Sequence, residues 1–426
     1  MARILARDPN NGQALLDALE EPRTYALRAN TLKISPVDIL HLLPFHLSPV
    51  PWCSAGYYYG SDDRPGQHPL YWAGLYYIQD ASAMYPVETL DVAPGHKVLD
   101  ISAAPGGKAT QILAHLRGQG LLVANEIDTA RAQVLAYNME SFGAENFAVL
   151  NSLPAQLARA FPNYFDRILV DAPCSGEGLF RKDYAARQNW RSEHPASCAV
   201  RQEEILSFAL HMLRPGGKIV YSTCTFAEEE NEWLLASMVA KESSLQLCEP
   251  PVRLLPHLMR GEGQFSAVIT KKTEDSLTRT EVSSFRPCSP PAKAVKLVQE
   301  FAGNSSTVDT ARLHFHDDSI YLLPPRLPDL KGLRIVRVGL KLGTAYEKRF
   351  HPDHAWALSL TPPLLPRLDF AWDDPRLQAY LHGHVIPCDT NVGGWVLISS
   401  ADFPLGFGKA SQGQVKNHLP KGLRKL

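Results

Sequence analysis

Val98-Leu99-Asp100-Ile101-Ser102-Ala103-Ala104-Pro105-Gly106-Gly107-Lys108 is the stretch whose reading decides the fold. A short apolar run ends at a carboxylate. Small residues follow, and Pro-Gly-Gly-Lys opens into Gln111-Ile112-Leu113-Ala114-His115-Leu116, which reads as a helix. Strand, tight turn and helix in that order suit a ligand, because small residues let backbone approach closely and a helix start presents unpaired N–H groups. Neither the GxxxxGK[ST] spacing of a phosphate loop nor GxGxxG is present, which argues against a nicotinamide cofactor.

The same alternation continues downstream. Leu121-Leu122-Val123-Ala124 reads as a second strand ending at Asn125-Glu126, with a helix through Arg131 and Leu135 after it. Phe147-Ala148-Val149-Leu150, Arg167-Ile168-Leu169-Val170-Asp171 and Lys218-Ile219-Val220-Tyr221-Ser222 read as further strands. Arg214-Pro215-Gly216-Gly217 reads as a helix stop and turn before the last of them. Such alternation predicts an α/β fold with a doubly wound parallel sheet. Glu126, one strand beyond the glycine turn, is placed for ribose hydroxyls. A nucleoside site without a triphosphate clamp points to S-adenosylmethionine.

Outside this core, Leu15, Leu16 and Leu19 give a helical pattern, and Arg28-Ala29-Asn30-Thr31-Leu32-Lys33 a basic, strand-like one that reads as an exposed edge. After Lys272 the chain turns polar and proline-rich, through Ser289-Pro290-Pro291, and then β-rich, with Gly394-Trp395-Val396-Leu397-Ile398 the best strand. The expected division is 1–75, 76–272 and 273–426, as 426 residues exceed one ordinary core. Net charge is −1, so polyanion binding, if present, is local. The basic run from Lys409 to Leu426 (Lys409, Lys416, Lys421, Arg424, Lys425) is the candidate patch. No apolar run suits a membrane helix. Met1-Ala2-Arg3-Ile4-Leu5-Ala6-Arg7-Asp8 lacks a secretory pattern, so a cytoplasmic location is expected.

Of seven cysteines none forms a CxxC pair, and no metal site or disulfide framework is expected. Cys53, Cys198, Cys248, Cys288 and Cys388 read as inert small hydrophobes. Cys174 in Asp171-Ala172-Pro173-Cys174-Ser175-Gly176 and Cys224 in Ser222-Thr223-Cys224-Thr225 differ, for each follows a strand on the cofactor side. A helix starting near Thr225 or Ala227 would lower the Cys224 pKa by its dipole. Two thiols, a carboxylate and a nucleoside site suit methylation at a pyrimidine carbon. Thiolate addition at carbon 6 activates carbon 5, with Asp171 placed as the acid near N3.

These motifs resemble the Sun/Nop family of S-adenosylmethionine-dependent RNA (cytosine-5) methyltransferases. The resemblance rests on Gln79-Asp80-Ala81-Ser82-Ala83-Met84, Ser102 to Lys108, Asp171 to Gly178 and Tyr221 to Thr225. It implies a Rossmann-like methyltransferase core with a small α+β N-terminal domain and a β-rich, PUA-like C-terminal domain. It implies Cys224 as the nucleophile, Cys174 as an aid to product release, and Asp171 and Lys108 in the active site. The cofactor set is Ser102, Ala103, Ala104, Pro105, Gly106, Gly107, Lys108, Glu126, Arg131 and Asp171. Gly339 to Gly343, Arg349 to Ala355, Leu405 to Lys409 and Lys416-Asn417-His418 resemble the bacterial RsmF-type branch, which implies 16S rRNA near the decoding centre, or the small subunit, as partner.

Two departures stand out. Ser102 occupies a position that is usually cysteine, and Asn151-Ser152 stands where the family often has an adenine-binding aspartate; either residue remains a candidate for the adenine amino group. Arg28, Lys33, Arg181 and Lys182 are candidate phosphate contacts. Two other readings stay open, a non-catalytic RNA-binding assembly factor and a base-nitrogen methyltransferase. The latter is disfavoured because Asp-Ala-Pro-Cys replaces the Pro-Pro-aromatic motif of such enzymes.

Overall fold

The computed structural model describes residues 11–424 apart from 183, 274–281, 304–307 and 348. The Met1–Asp8 opening and Lys425 of the basic run lie outside the described residues. The central sheet contains β1 (Lys97–Asp100), β2 (Leu121–Asn125), β3 (Phe147–Leu150), β4 (Phe165–Asp171), β5 (Leu213–Thr223), β6 (Leu245–Leu247), β7 (Val252–Leu254), β8 (Gln264–Lys271) and β9 (Ile335–Val338). Its order is β6-β8-β5-β4-β1-β2-β3-β9, with β7 also on β8. The five strands from β5 to β3 in this order are parallel, and β8 and β9 join them antiparallel.

These parallel strands read as unbroken apolar runs because both faces are covered. Leu99, Leu121 and Val123 enter one core, while their neighbours Val98, Leu122 and Ala124 enter the other. The chain winds outward from β1 in both directions, so the carboxyl ends of β1 and β4 flank a crevice where α/β sheets bind ligands. Arg214 to Gly217, expected as a turn, lie within β5. The helix His194–Met212 ends directly at β5, and the irregularity is taken up in its pairing with β4.

The N-terminal sheet has the order Ser48–Val50, Cys53–Tyr58, Ala26–Ala29, Tyr76–Ile78. Ala26–Ala29 is therefore an interior strand, buried throughout, and not the exposed edge its basic sequence suggested. The helix Gly12–Glu20 packs Leu15, Leu16 and Leu19 on Phe226, just beyond Cys224. Beyond the core, a four-stranded sheet (Leu313–His316, Ser319–Leu322, Leu340–Tyr346, Arg349–Pro352) and a five-stranded sheet built on Gly394–Ser400 and Phe403–Ser411 complete the chain. No helix among the described residues is long and apolar enough to cross a membrane.

Candidate active site

A cleft of about 280 Å³ opens at the carboxyl ends of β1 and β4. Ser102 to Pro105, Gly107 and Lys108 line it together with Asp171, Cys224 and, from the segment before β1, Gln79, Asp80, Ser82 and Ala83. Gly106 has a φ of +119° at the cap of the helix Gly107–Leu116, a backbone state that other residues rarely adopt.

The two cysteine segments meet. Cys174 Sγ lies 3.1 Å from Cys224 Sγ, and the Cys224 N–H donates to Cys174 Sγ at 3.3 Å. The contact with Cys224, then burial, holds the Cys174 thiol well above its ordinary pKa. Gly178 N–H donates to the Cys224 carbonyl at 2.9 Å, and a Cβ on Gly178 would meet the Gly263 and Cys224 carbonyl oxygens at 2.7 and 2.9 Å. That close approach requires glycine.

Lys108 Nζ donates to Asp171 Oδ2 at 2.7 Å, and Ser222 Oγ donates to Asp171 Oδ1 at 2.7 Å. Burial draws the Lys108 ammonium down, but the Asp171 carboxylate, with smaller help from Cys224, outweighs it and raises the pKa. Asp100 is buried, and no side chain donates to either oxygen. Burial, then the charge of Asp171, pushes it up to about 8. A buried carboxyl of this kind beside a backbone cradle fits the cationic end of a sulfonium nucleoside. Ile127 and Leu153, 58% and 59% exposed after β2 and β3, fit its flat base.

Glu126 sits at the end of β2, buried. Its Oε1 accepts from the Asp128 N–H at 2.9 Å, and its Oε2 lies 3.4 Å from Arg131 Nη1. Arg131 also donates to the Ala104 carbonyl at 2.8 Å and braces the loop. Asn151 does not present its amide to a ligand. Its Nδ2 donates to the Glu126 and Ile127 carbonyls at 2.7 and 2.8 Å, and its Oδ1 accepts from Thr129 Oγ1. Ser152 Oγ accepts from the Arg334 N–H at 3.0 Å.

Several sequence expectations are corrected. The helix after Cys224 starts only at Glu232, so its start does not lie at that sulfur as the sequence suggested. Thr225 to Asn231 instead fold into turns tied back to the cysteine loops. Arg181 is buried against Glu262, with Nε 3.2 and 3.1 Å from the two carboxylate oxygens, and donates to the Gly261 carbonyl at 2.8 Å. Arg28 donates to Gln79 Oε1 at 2.9 Å, Thr110 Oγ1 at 2.8 Å and the Gly107 carbonyl at 3.0 Å. Lys33 Nζ donates to the Ala73 and Ser141 carbonyls at 2.7 and 3.0 Å, and burial lowers it to about 7. None of these three cations faces a phosphate; only Lys182 of the four lines the cleft. Cys248 and Cys288 are exposed, not core residues.

Sequence reasoning missed Glu230, Gln202 and Glu177. Glu230 accepts from the Ser175 N–H at 3.1 Å, from Ser175 Oγ and from Gln202 Nε2 at 2.7 Å; Gln202 also donates to the Pro173 carbonyl at 2.9 Å. Glu177 Oε2 accepts from the Phe226 N–H at 3.1 Å. These side chains lash the two cysteine loops together. Glu177 stood within the Asp171 to Gly178 motif without an assigned role, Glu230 ended an acidic run, Glu228 to Glu230, that reads as a helix start, and Gln202 carried no signal.

Residues 87–277 match the family of 16S rRNA methyltransferase RsmB/F. Residues 1–81 match the N-terminal domain of 16S rRNA methyltransferase RsmF, 299–360 its first C-terminal domain and 367–425 its PUA domain. Among curated relatives, the ribosomal RNA small subunit methyltransferase F of Aeromonas salmonicida (strain A449) is 33% identical over 94% of this chain and 91% of its own. That of Escherichia coli (strain SMS-3-5 / SECEC) is 33% identical over 96% and 92%. Among solved structures, a methyltransferase homolog protein from Pyrococcus horikoshii is 29% identical, with a TM-score of 0.57 over 63% of this chain and 93% of that one. NSun6 from Pyrococcus horikoshii, solved with SFG, shares the fold at 20% identity and a TM-score of 0.56, over 64% of this chain and 97% of that one.

Proposed function

Because the chain belongs to the RsmF family of 16S rRNA methyltransferases, we propose that it methylates carbon 5 of a cytosine in 16S rRNA near the decoding centre, with S-adenosylmethionine as donor and a covalent Cys224 adduct as intermediate. The observation that carries this reading is the Cys174–Cys224 sulfur pair, 3.1 Å apart, with Cys224 lining the cleft that also holds the Lys108–Asp171 pair. A base-nitrogen methyltransferase has no use for either thiol.

Ser102 to Lys108 and Glu126 would hold the donor, with Asp100 near its cationic end. When bound, the donor supplies an electrophilic methyl group on a sulfonium. Cys224 adds as thiolate to carbon 6, and the electron pair of the carbon 5–carbon 6 double bond becomes available at carbon 5 for the methyl group. The proton that leaves Cys224 passes by way of the Asp171 carboxylate to N3, where charge collects, and Lys108 holds that carboxylate before and after. A base then takes the proton from carbon 5, the sulfur–carbon 6 bond breaks, and Cys224 leaves as thiolate beside the Cys174 S–H. The target base must leave its stack to reach this cleft, which costs a few kcal/mol. In this reading residues 76–272 carry the chemistry, and residues 1–75 and 273–426 grip the RNA.

The test is small-subunit rRNA carrying 5-fluorocytosine. Fluorine blocks the last elimination, so the wild-type protein should form a complex that survives denaturation, while Cys224→Ala forms none and transfers no methyl to natural rRNA. Methyl incorporation by Cys224→Ala at the wild-type rate overturns the assignment.

A further inference from the structure

The carboxyl end of β3 is capped by a segment from far along the chain. Strand β9 pairs antiparallel with β3 at Ile335–Leu150 and Val338–Ala148. Just before it, the Arg334 carbonyl accepts from the Asn151 N–H at 2.8 Å and the Arg334 N–H donates to Ser152 Oγ at 3.0 Å. Arg334 thus lies at the rim where the base of a nucleoside is expected, between the loops that follow β2 and β3. Its guanidinium is exposed, and Nη1 lies 3.4 Å from Thr129 Oγ1 at the start of the helix Thr129–Ser141. Thr129 Oγ1 in turn donates to Asn151 Oδ1 at 3.1 Å. The Asn151 amide and the Ser152 hydroxyl, which the sequence offered for the adenine, are both engaged within the protein.

We infer that Arg334, contributed from outside the catalytic core, binds the nucleoside half of the methyl donor. This rests on the proposed donor. A guanidinium has five donors, a flat face and no acceptor. It therefore recognises the ring face or ring nitrogens of adenine, whereas an aspartate at the end of β3 would accept from the exocyclic amino group. Exposed Ile127 and Leu153 supply the apolar contact. One consequence is that docking of the C-terminal stretch against β3 and donor binding favour each other.

Isothermal titration with S-adenosylhomocysteine and, separately, with adenosine tests this. Wild type should bind both. Arg334→Ala should weaken both by the same factor, about two- to fivefold for loss of a cation–ring contact at an exposed site. Arg334→Lys, which keeps the charge without the flat fork, should fall between them. The backbone bonds of Arg334 survive both substitutions, so the melting temperature without ligand should not move. An S-adenosylhomocysteine analogue lacking the exocyclic amino group should bind wild type nearly as well as the parent. Unchanged affinity in Arg334→Ala, or a large loss when the amino group is removed, overturns the inference alone. Failure of wild type to bind S-adenosylhomocysteine at all overturns the reading beneath it.

Discussion

Replacing Cys174 by alanine should separate two steps of one reaction. Cys174 keeps its proton because contact with Cys224 and burial both disfavour its thiolate. It lies 3.1 Å from Cys224 Sγ, the sulfur that departs from carbon 6 in the proposed mechanism. A hydrogen bond to a charged group contributes about 1.5–3 kcal/mol. At 1.36 kcal/mol per tenfold, its loss from the departing thiolate slows release about 10- to 150-fold. Methyl transfer precedes that step, so a single turnover should proceed near the wild-type rate while repeated turnover falls by the full factor. The assay follows radiolabelled methyl incorporation beside a denaturing gel of the enzyme–RNA species. Cys174→Ala should accumulate that species on natural RNA, which wild type releases. Cys174→Ala turning over like wild type without a long-lived adduct would refute the release role. A persistent adduct in the Cys174→Ala, Cys224→Ala double variant would place the nucleophile elsewhere.

Asp100, raised to about 8 chiefly by burial, binds its proton more tightly folded than unfolded. Its contribution to stability is complete below an unfolded pKa of about 3.9 and is lost as pH rises toward 8. The melting temperature of the donor-free protein should fall between pH 6 and 8.5 relative to Asp100→Asn, and parallel profiles would contradict the shift. Arg181→Ala leaves Glu262 buried without its partner and should cost about 3–5 kcal/mol in chemical denaturation. Weaker RNA binding at unchanged stability would instead return Arg181 to the phosphate contacts. Lys182 faces the cleft, and its replacement by alanine should reduce the salt slope of RNA binding by about one. An unchanged slope excludes it from phosphate contact.

The core was legible because parallel strands covered on both faces leave a local signature. Phe147-Ala148-Val149-Leu150 is apolar at every position, and the structure makes it β3 with the same bounds. Asp171 and Cys224 were found because strand ends converge by topology, not by sequence distance. What was missed lacks a local sign. Arg28 has the composition of an exposed edge, and only the packing of Gln79 and Thr110 around its guanidinium makes the buried site tolerable. Ile335-Val336-Arg337-Val338 pairs with a strand nearly two hundred residues earlier, a partner that no window of sequence reports. The helix after Cys224 is delayed past Glu230. The Glu230 carboxylate accepts from the Ser175 loop, and the helix begins only two residues later, at Glu232.

That delay changes the electrostatics of the nucleophile. A helix start would have offered Cys224 about half a unit charge, weakened by solvent at its mouth. The structure supplies a whole charge instead. Lys108 is nearly buried, its ammonium interacts with both Asp171 and Cys224, and both contacts favour its charged form. One cation therefore faces both the carboxylate proposed to meet N3 and the sulfur proposed to meet carbon 6. In the proposed mechanism the negative charge of Cys224 moves into the ring as the sulfur bonds to carbon 6, and Lys108 stays close to the Asp171 end of that charge. An arrangement that stabilises the thiolate alone would slow its attack; one shared between the two ends follows the electrons. The same reasoning explains why the chain needs no overall positive charge. Its arginines and lysines near the core are engaged with carbonyls and carboxylates, and the exposed Lys182 and the cross-strand pair Lys409 and Lys416 are the cations proposed to attract RNA.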